Sequence, residues 1–289
     1  MDRGHKLWRE NEDPRVCISR GYFMQKSILY NGKRIAYQRA GSGSALVLLH
    51  GFLESGTIWD GFTAQLLDEY TVISIDLPGH GNSEVLAAAH SMHLMAEVVK
   101  AVMQCESIGS AVVAGHSMGG YVAIQFAAEN ENLADGVVLF HSHAGPDSEQ
   151  ASENRLRTIE IVRNNRGSFI RQFIPDLFDQ RHVENYTDEI RKLQDVASQM
   201  TSEAIIAAVS GMRDRSGQIE FLSRIRIPVL FIIGKQDSRM PFGQILQHAE
   251  APAHSEILLL DHVGHMGFIE SPSVTLQALS HFASRCFAK

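Results

Sequence analysis

The chain has 289 residues, 44% of them hydrophobic and 20% charged, which are the proportions of an ordinary globular protein able to bury a sizeable core. Its formal net charge of −7 excludes a general nucleic-acid binder, because phosphate binding needs a basic surface. The three cysteines, Cys17, Cys105 and Cys286, are too dispersed for a disulfide framework or a zinc site and suit a reducing, cytoplasmic compartment.

No apolar run reaches the length of a membrane span, and residues 1–6 lack the apolar core of a signal peptide. Residues 1–23 are polar and without periodicity, so the folded unit is expected to begin at Met24, after a flexible or appended tail. Residues 26–30 and 33–38 flank Asn31-Gly32, a two-residue turn signal that predicts an antiparallel hairpin over 25–39. Gly41-Ser42-Gly43-Ser44 ends that pattern.

Short apolar runs then alternate with helical stretches. The buried-strand candidates are residues 45–49, 72–75, 111–114, 137–140, 229–233 and 256–260. Continuous apolar strands separated by helices imply an α/β fold with a mostly parallel, doubly wound sheet covered on both faces. The alternation fails between Gly145 and Gln218, where helices are predicted over 153–164, 167–177, 188–199 and 202–212. The expected organisation is a core of 24–144 and 219–289, with 145–218 inserted as a helical cap or lid. Arg155, Arg157, Arg163 and Arg166 interleave with Glu153 and Glu160 and read as a solvated helix face. Phe169, Phe173, Ile174, Leu177 and Phe178 form an apolar group, mostly cap core, from which Phe173 and Leu177 are expected to roof an apolar acyl or alkyl pocket.

In an open parallel sheet, ligands bind outside the carboxyl ends of the strands. The segments that follow the predicted strands are His50-Gly51-Phe52-Leu53, Asp76-Leu77-Pro78-Gly79-His80-Gly81-Asn82-Ser83, Gly115-His116-Ser117-Met118-Gly119, Gly234-Lys235-Gln236-Asp237 and Gly264-His265-Met266-Gly267. A serine on a sharp strand-to-helix turn between small residues is a nucleophile elbow, which points to acyl chemistry at Ser117. His141-Ser142-His143 has metal-like spacing at a strand end. No carboxylate or cysteine stands at a complementary spacing, so a pocket wall with His143 touching substrate is the expectation, and no metal is implied.

Together these segments make the chain resemble the serine-dependent α/β-hydrolases over nearly all of residues 24–289. The resemblance implies that fold, with an N-terminal antiparallel hairpin and an inserted helical cap. It implies a triad in the order Ser117, Asp237, His265. A serine hydroxyl needs an adjacent base, a histidine can serve near neutral pH, and a carboxylate orients the ring and stabilises the imidazolium. His262 is the rival base and Asp147 the rival acid, while His116 is assigned to packing and Asp76 to shaping a turn. The oxyanion donors would be the backbone N–H groups of Phe52 and Met118, leaving both side chains free to line the pocket, with Met266 also facing substrate.

The activity so implied is cofactor-free hydrolysis of a small or medium carboxylic ester by water through an acyl-enzyme. Carbon–carbon hydrolases, thioesterases, lactonases, aminopeptidases, acyltransferases and perhydrolases share the layout. Serine at the elbow excludes the haloalkane dehalogenases and epoxide hydrolases, which carry aspartate there. A non-catalytic ligand receptor of the same fold is the alternative from another class; the full triad argues against it.

Overall fold

The computed structural model describes residues 23–288. The expectation of an appended N-terminal tail therefore falls almost wholly outside the described residues. Eight strands form one sheet: β1 Met24–Tyr30, β2 Lys33–Ala40, β3 Ser44–Leu49, β4 Tyr70–Ile75, β5 Ala111–His116, β6 Ala134–Phe140, β7 Val229–Gly234 and β8 Ser255–Leu260. Their order is β1-β2-β4-β3-β5-β6-β7-β8. Only β2 runs against its neighbours, pairing antiparallel with β1 and β4, and all other pairings are parallel. The predicted hairpin forms at Asn31 and Gly32, whose φ angles of 50° and 76° are those a tight two-residue turn requires.

The crossover helices are α1 Asp60–Leu66 after β3, α2 Met92–Cys105 after β4 and α3 Met118–Glu129 after β5. Between β6 and β7 lie α4 Glu149–Phe173, α5 Thr187–Ser198, α6 Ser202–Arg213 and α7 Ile219–Arg224; then come α8 Phe242–Ala249, α9 Gly267–Glu270 and α10 Pro272–Phe287. The two helices predicted over 153–164 and 167–177 are largely one, because α4 continues through a kink at Asn165 (φ −155°, ψ 75°).

Strands β4, β5 and β7 are buried along their whole length, which requires cover on both faces and explains their unbroken apolar runs. Edge strand β8 keeps Ile257 and Leu259 partly exposed. Trp59, Phe62, Phe140 and Phe268 meet edge to face or tilted and tie the first crossover to the middle of the sheet. Among the described residues no helix is long and apolar enough to cross a membrane.

Strand order reverses direction between β3 and β5, the place where an open α/β sheet leaves a crevice. The register pairs Leu49 with Gly115, so the chain leaving β3 emerges beside the chain leaving β5. A close approach of α3 secures this. A Cβ built on Gly115 would lie 2.0 Å from the Gly119 carbonyl oxygen, and one on Gly119 would lie 2.5 Å from that of Leu49. Backbone cannot yield as a flexible side chain does. Gly119→Ala is therefore expected to destabilise the fold by about 2 kcal/mol or more through overpacking. Urea unfolding of the variant checks this, and a stability equal to that of the unmutated protein would refute the account.

Candidate active site

Ser117 joins β5 to α3 with φ 50° and ψ −114°, a strained conformation for a non-glycine residue. Two hydrogen bonds hold it: the Ser117 N–H donates to the Phe140 carbonyl at 2.9 Å, and the Ser142 hydroxyl donates to the Ser117 carbonyl at 2.7 Å. The turn sets Ser117 at the start of α3, in the wall of a cavity of about 340 Å³ that Phe52, His143, Phe173, Leu177 and His265 also line.

Asp237 follows β7 by three residues, and its buried carboxylate gathers four donors. The Arg239 and Met240 N–H groups donate to Oδ1 at 2.8 and 3.0 Å. The Nδ1 atoms of His265 and His141 approach Oδ2 at 2.8 and 3.1 Å. Burial alone would raise the pKa of this carboxyl, but the charge of His265 and the hydrogen bonds from both imidazoles hold it well below the ordinary carboxylate range. An ionised carboxylate only accepts, so each Nδ1 carries its proton and Nε2 of neutral His265 keeps a lone pair. Burial pushes the pKa of His265 below its ordinary value, partly opposed by Asp237.

The N–H groups of Phe52 and Met118 have no hydrogen-bond partner among the described residues. Met118 opens α3, where the helix leaves its first N–H groups unsatisfied and its dipole favours negative charge.

Beneath His265 lies a pair the sequence did not disclose. Nδ1 of His116 is 3.0 Å from Glu54 Oε2, and Nε2 is 2.9 Å from the carbonyl oxygen of His265. Both partners are acceptors, so both ring nitrogens carry protons and His116 is an imidazolium in a fully buried ion pair. Burial would lower its pKa, but the Glu54 charge and these hydrogen bonds raise it above the ordinary value. Burial would likewise raise the Glu54 carboxyl, and the charge of His116 holds it below its ordinary value. Glu54 also accepts the Gly51 N–H at 2.6 Å, which ties the loop after β3 to the elbow.

The rival residues lie elsewhere in the site. Asp147 is held by Arg155 and Arg215, and His262 sits in an exposed loop with its own neighbour Asp261. The Asp76 carboxylate accepts the Gly56 and Asn82 N–H groups, each at 2.8 Å, and so shapes its turn. In His143, Nδ1 accepts the Gly145 N–H at 3.0 Å, so Nε2 carries the proton toward the Tyr121 hydroxyl. Burial, then the charge of Arg215, lowers its pKa to about 3 and keeps it neutral.

Three sequence expectations change. The side chains of Met266 and Met118 are fully buried and are not among the cavity's lining residues. Arg155 does not belong to a solvated face; it turns inward onto Asp147 and lines the cavity, whereas Arg157 and Arg163 pair with Glu153 and Glu160 on the surface. His141, set aside with the metal-like triplet, meets its carboxylate in Asp237. Its place directly after β6 was the available signal; Glu54 gave none.

Two groups bring three potential metal-ligand atoms within 4.8 Å of one another among the described residues: His141, Asp237 and His265, and Asp179, His182 and His262. In the first, both Nδ1 atoms already share one oxygen of Asp237. In the second, Arg181 engages both oxygens of Asp179.

A family model described as alpha/beta hydrolase fold matches residues 44–272. An uncharacterized protein of Mycobacterium tuberculosis is 28% identical over 272 residues, covering 87% of this chain and 79% of its own length. The pimeloyl-[acyl-carrier protein] methyl ester esterase of Aeromonas hydrophila is 26% identical over 257 residues, covering 86% and 98%. A malate-bound thermophilic esterase from Thermogutta terrifontis superposes with a TM-score of 0.85 at 28% identity, covering 91% of this chain and 99% of its own.

The buried pair fixes a pH window. With a raised pKa, His116 contributes fully below its ordinary value of 6.5 and loses that contribution as pH rises through its folded-state value. With a depressed pKa, Glu54 contributes fully above 4.5 and loses it as pH falls through its folded-state value. Glu54→Gln should cost about 3–5 kcal/mol by leaving the imidazolium without its counter-charge. The loss should be largest between pH 4.5 and 6.5 and shrink on either side. Urea unfolding of both proteins across pH measures it; a difference independent of pH would remove the ion pair from the account.

Proposed function

The chain belongs to the alpha/beta-hydrolase family, and on that premise we propose that it hydrolyses a carboxylic ester through an acyl-enzyme formed on Ser117. The observation that carries this reading is the 2.8 Å contact of His265 Nδ1 with the buried Asp237 carboxylate, made by a histidine that shares a cavity wall with Ser117. An ester is favoured over other acyl substrates because the relatives from Aeromonas hydrophila and Thermogutta terrifontis are esterases.

The sequence of steps follows from the proton inventory. Ser117 Oγ adds to the ester carbonyl as His265 Nε2 takes its proton. The negative charge that develops on the carbonyl oxygen is met by the N–H groups of Phe52 and Met118, which need not release another partner first. Asp237 stabilises the imidazolium without accepting its proton. His265 then protonates the departing alcohol. A water, deprotonated by the same nitrogen, adds to the acyl-enzyme; collapse breaks the bond to Ser117 Oγ, which takes that proton back from His265, and frees the acid. In this reading His141 holds the Asp237 carboxylate through a second donor. Residues 145–218 act as the cap, with Phe173 and Leu177 roofing the cavity. A reducing compartment such as the cytoplasm suits the few, widely dispersed cysteines.

Ser117→Ala should abolish turnover of short-chain chromogenic esters while leaving the fold intact, and a phosphonate should label Ser117 in the unmutated protein. A Ser117→Ala variant with undiminished turnover, or absence of labelling, would overturn the reading. Asp237→Asn should lower kcat by about 10³–10⁴, because the wrong tautomer of His265 is then favoured. The base must be neutral and its pKa is lowered, so kcat/KM should fall in acid with a midpoint below 6.5. A midpoint above that value would refute the desolvated-base assignment.

A further inference from the structure

The chain is acidic, with a net charge of −7, yet its cavity is not. Three arginines line it, Arg155, Arg215 and Arg239, together with the acidic residues Glu54 and Asp147. Glu54 is balanced from outside the lining by the His116 imidazolium. Asp147 is shared between Arg155 and Arg215. Among the lining residues the arginines therefore outnumber the carboxylates left unbalanced, while Asp176 and the buried Asp237 also act on Arg239.

The arginines differ in how far they are satisfied. Arg215 donates to Asp147 and to the Gly145 and Met212 carbonyls, and lies 3.9 Å above the Tyr121 ring; it is a structural cation. Arg155 gives only its Nε to Asp147, at 3.1 Å. Arg239 makes no side-chain hydrogen bond among the described residues: its Nη2 comes no closer than 3.7 Å to Asp176, itself 64% exposed. Its position is nevertheless fixed. The backbone N–H is bound to Asp237 Oδ1 at 2.8 Å, and the guanidinium lies 4.4 Å above the ring of Phe173, which meets Phe52 edge to face. Only 33% of the side chain is exposed, and Arg155 and Arg239 both line the same cavity. Two partly desolvated arginines with unused donors in one cavity lining suit a carboxylate.

We propose that the substrate is an anionic ester, one whose acid or alcohol part carries a carboxylate that seats between Arg239 and Arg155 while the ester carbonyl reaches Ser117. This rests on the acyl-enzyme reading and adds a substrate class to it. Arg239 and Arg155 are then specificity-determining residues, and Phe173 is the platform that orients Arg239.

The test is a ratio. The monoethyl ester anion and the neutral diethyl ester of one dicarboxylic acid are compared by kcat/KM in the unmutated protein and in Arg239→Met and Arg155→Met. Intrinsic reactivity cancels between proteins, so the monoester-to-diester ratio reports recognition of the carboxylate alone. An ethanolamine-type cationic ester serves as the opposite arm. Each arginine variant should lower the monoester-to-diester ratio about tenfold or more, the value of a charge-assisted hydrogen bond, with Arg239→Lys intermediate. The cationic ester should gain relative to the diester. The free dicarboxylate should also bind Ser117→Ala by titration calorimetry, about tenfold more weakly once Arg239→Met is added. Ratios that stay equal across the proteins would overturn the proposal while leaving the hydrolase reading intact. Failure to hydrolyse any ester, or to label Ser117, would instead remove the reading on which it rests.

Discussion

The site depends on one backbone constraint, the sharp turn at Ser117. Its φ of 50° is unfavourable for a serine and is held by contacts from every side. β6 receives its N–H, Ser142 donates to its carbonyl, and Gly119 lets α3 approach the end of β3 to a distance no side chain would allow. The same turn places the N-terminus of α3 at the cavity. Strain, helix dipole and nucleophile position therefore share one cause.

Around that turn, two buried carboxylates do different work. Asp237 gathers two imidazoles and two amides, so its charge is fully solvated by the protein. Glu54 instead neutralises a buried cation, the His116 imidazolium. The two networks meet at His265, whose ring belongs to the first and whose carbonyl oxygen belongs to the second. The ring's position is set from both ends, at a cost in desolvation that a core of apolar residues would avoid. The rings of His116 and His265 lie 4.8 Å apart, so a fixed positive charge also bears on the proton affinity of His265.

Much of the fold was legible because each signal was local. Asn31-Gly32 marks its own turn, and β4, β5 and β7 are unbroken apolar runs because both of their faces are covered. The helical break expected near residues 165–166 survives as the kink at Asn165. Ser117, Asp237 and His265 stood out as candidates because each lies within a few residues of the end of a strand in a parallel sheet. Glu54, the role of His141 and the inward turn of Arg155 were not, because each depends on a partner 62, 96 or 8 residues away whose approach only the assembled sheet and insertion decide. Charge run and solvated face look alike in sequence until Asp147 is seen beneath Arg155.

The Glu54–His116 pair has a consequence for how this chain can vary. Either residue alone, exchanged for a neutral one, strands a charge with no water to receive it. Exchanged together for apolar residues of matching shape, they leave no charge behind, so the penalty falls to that of the Gly51 N–H and the His265 carbonyl left without their partners. The two positions thus act as one energetic unit, although α1, β4 and α2 separate them along the chain. A change at one of the two positions is therefore tolerated only when the other changes with it.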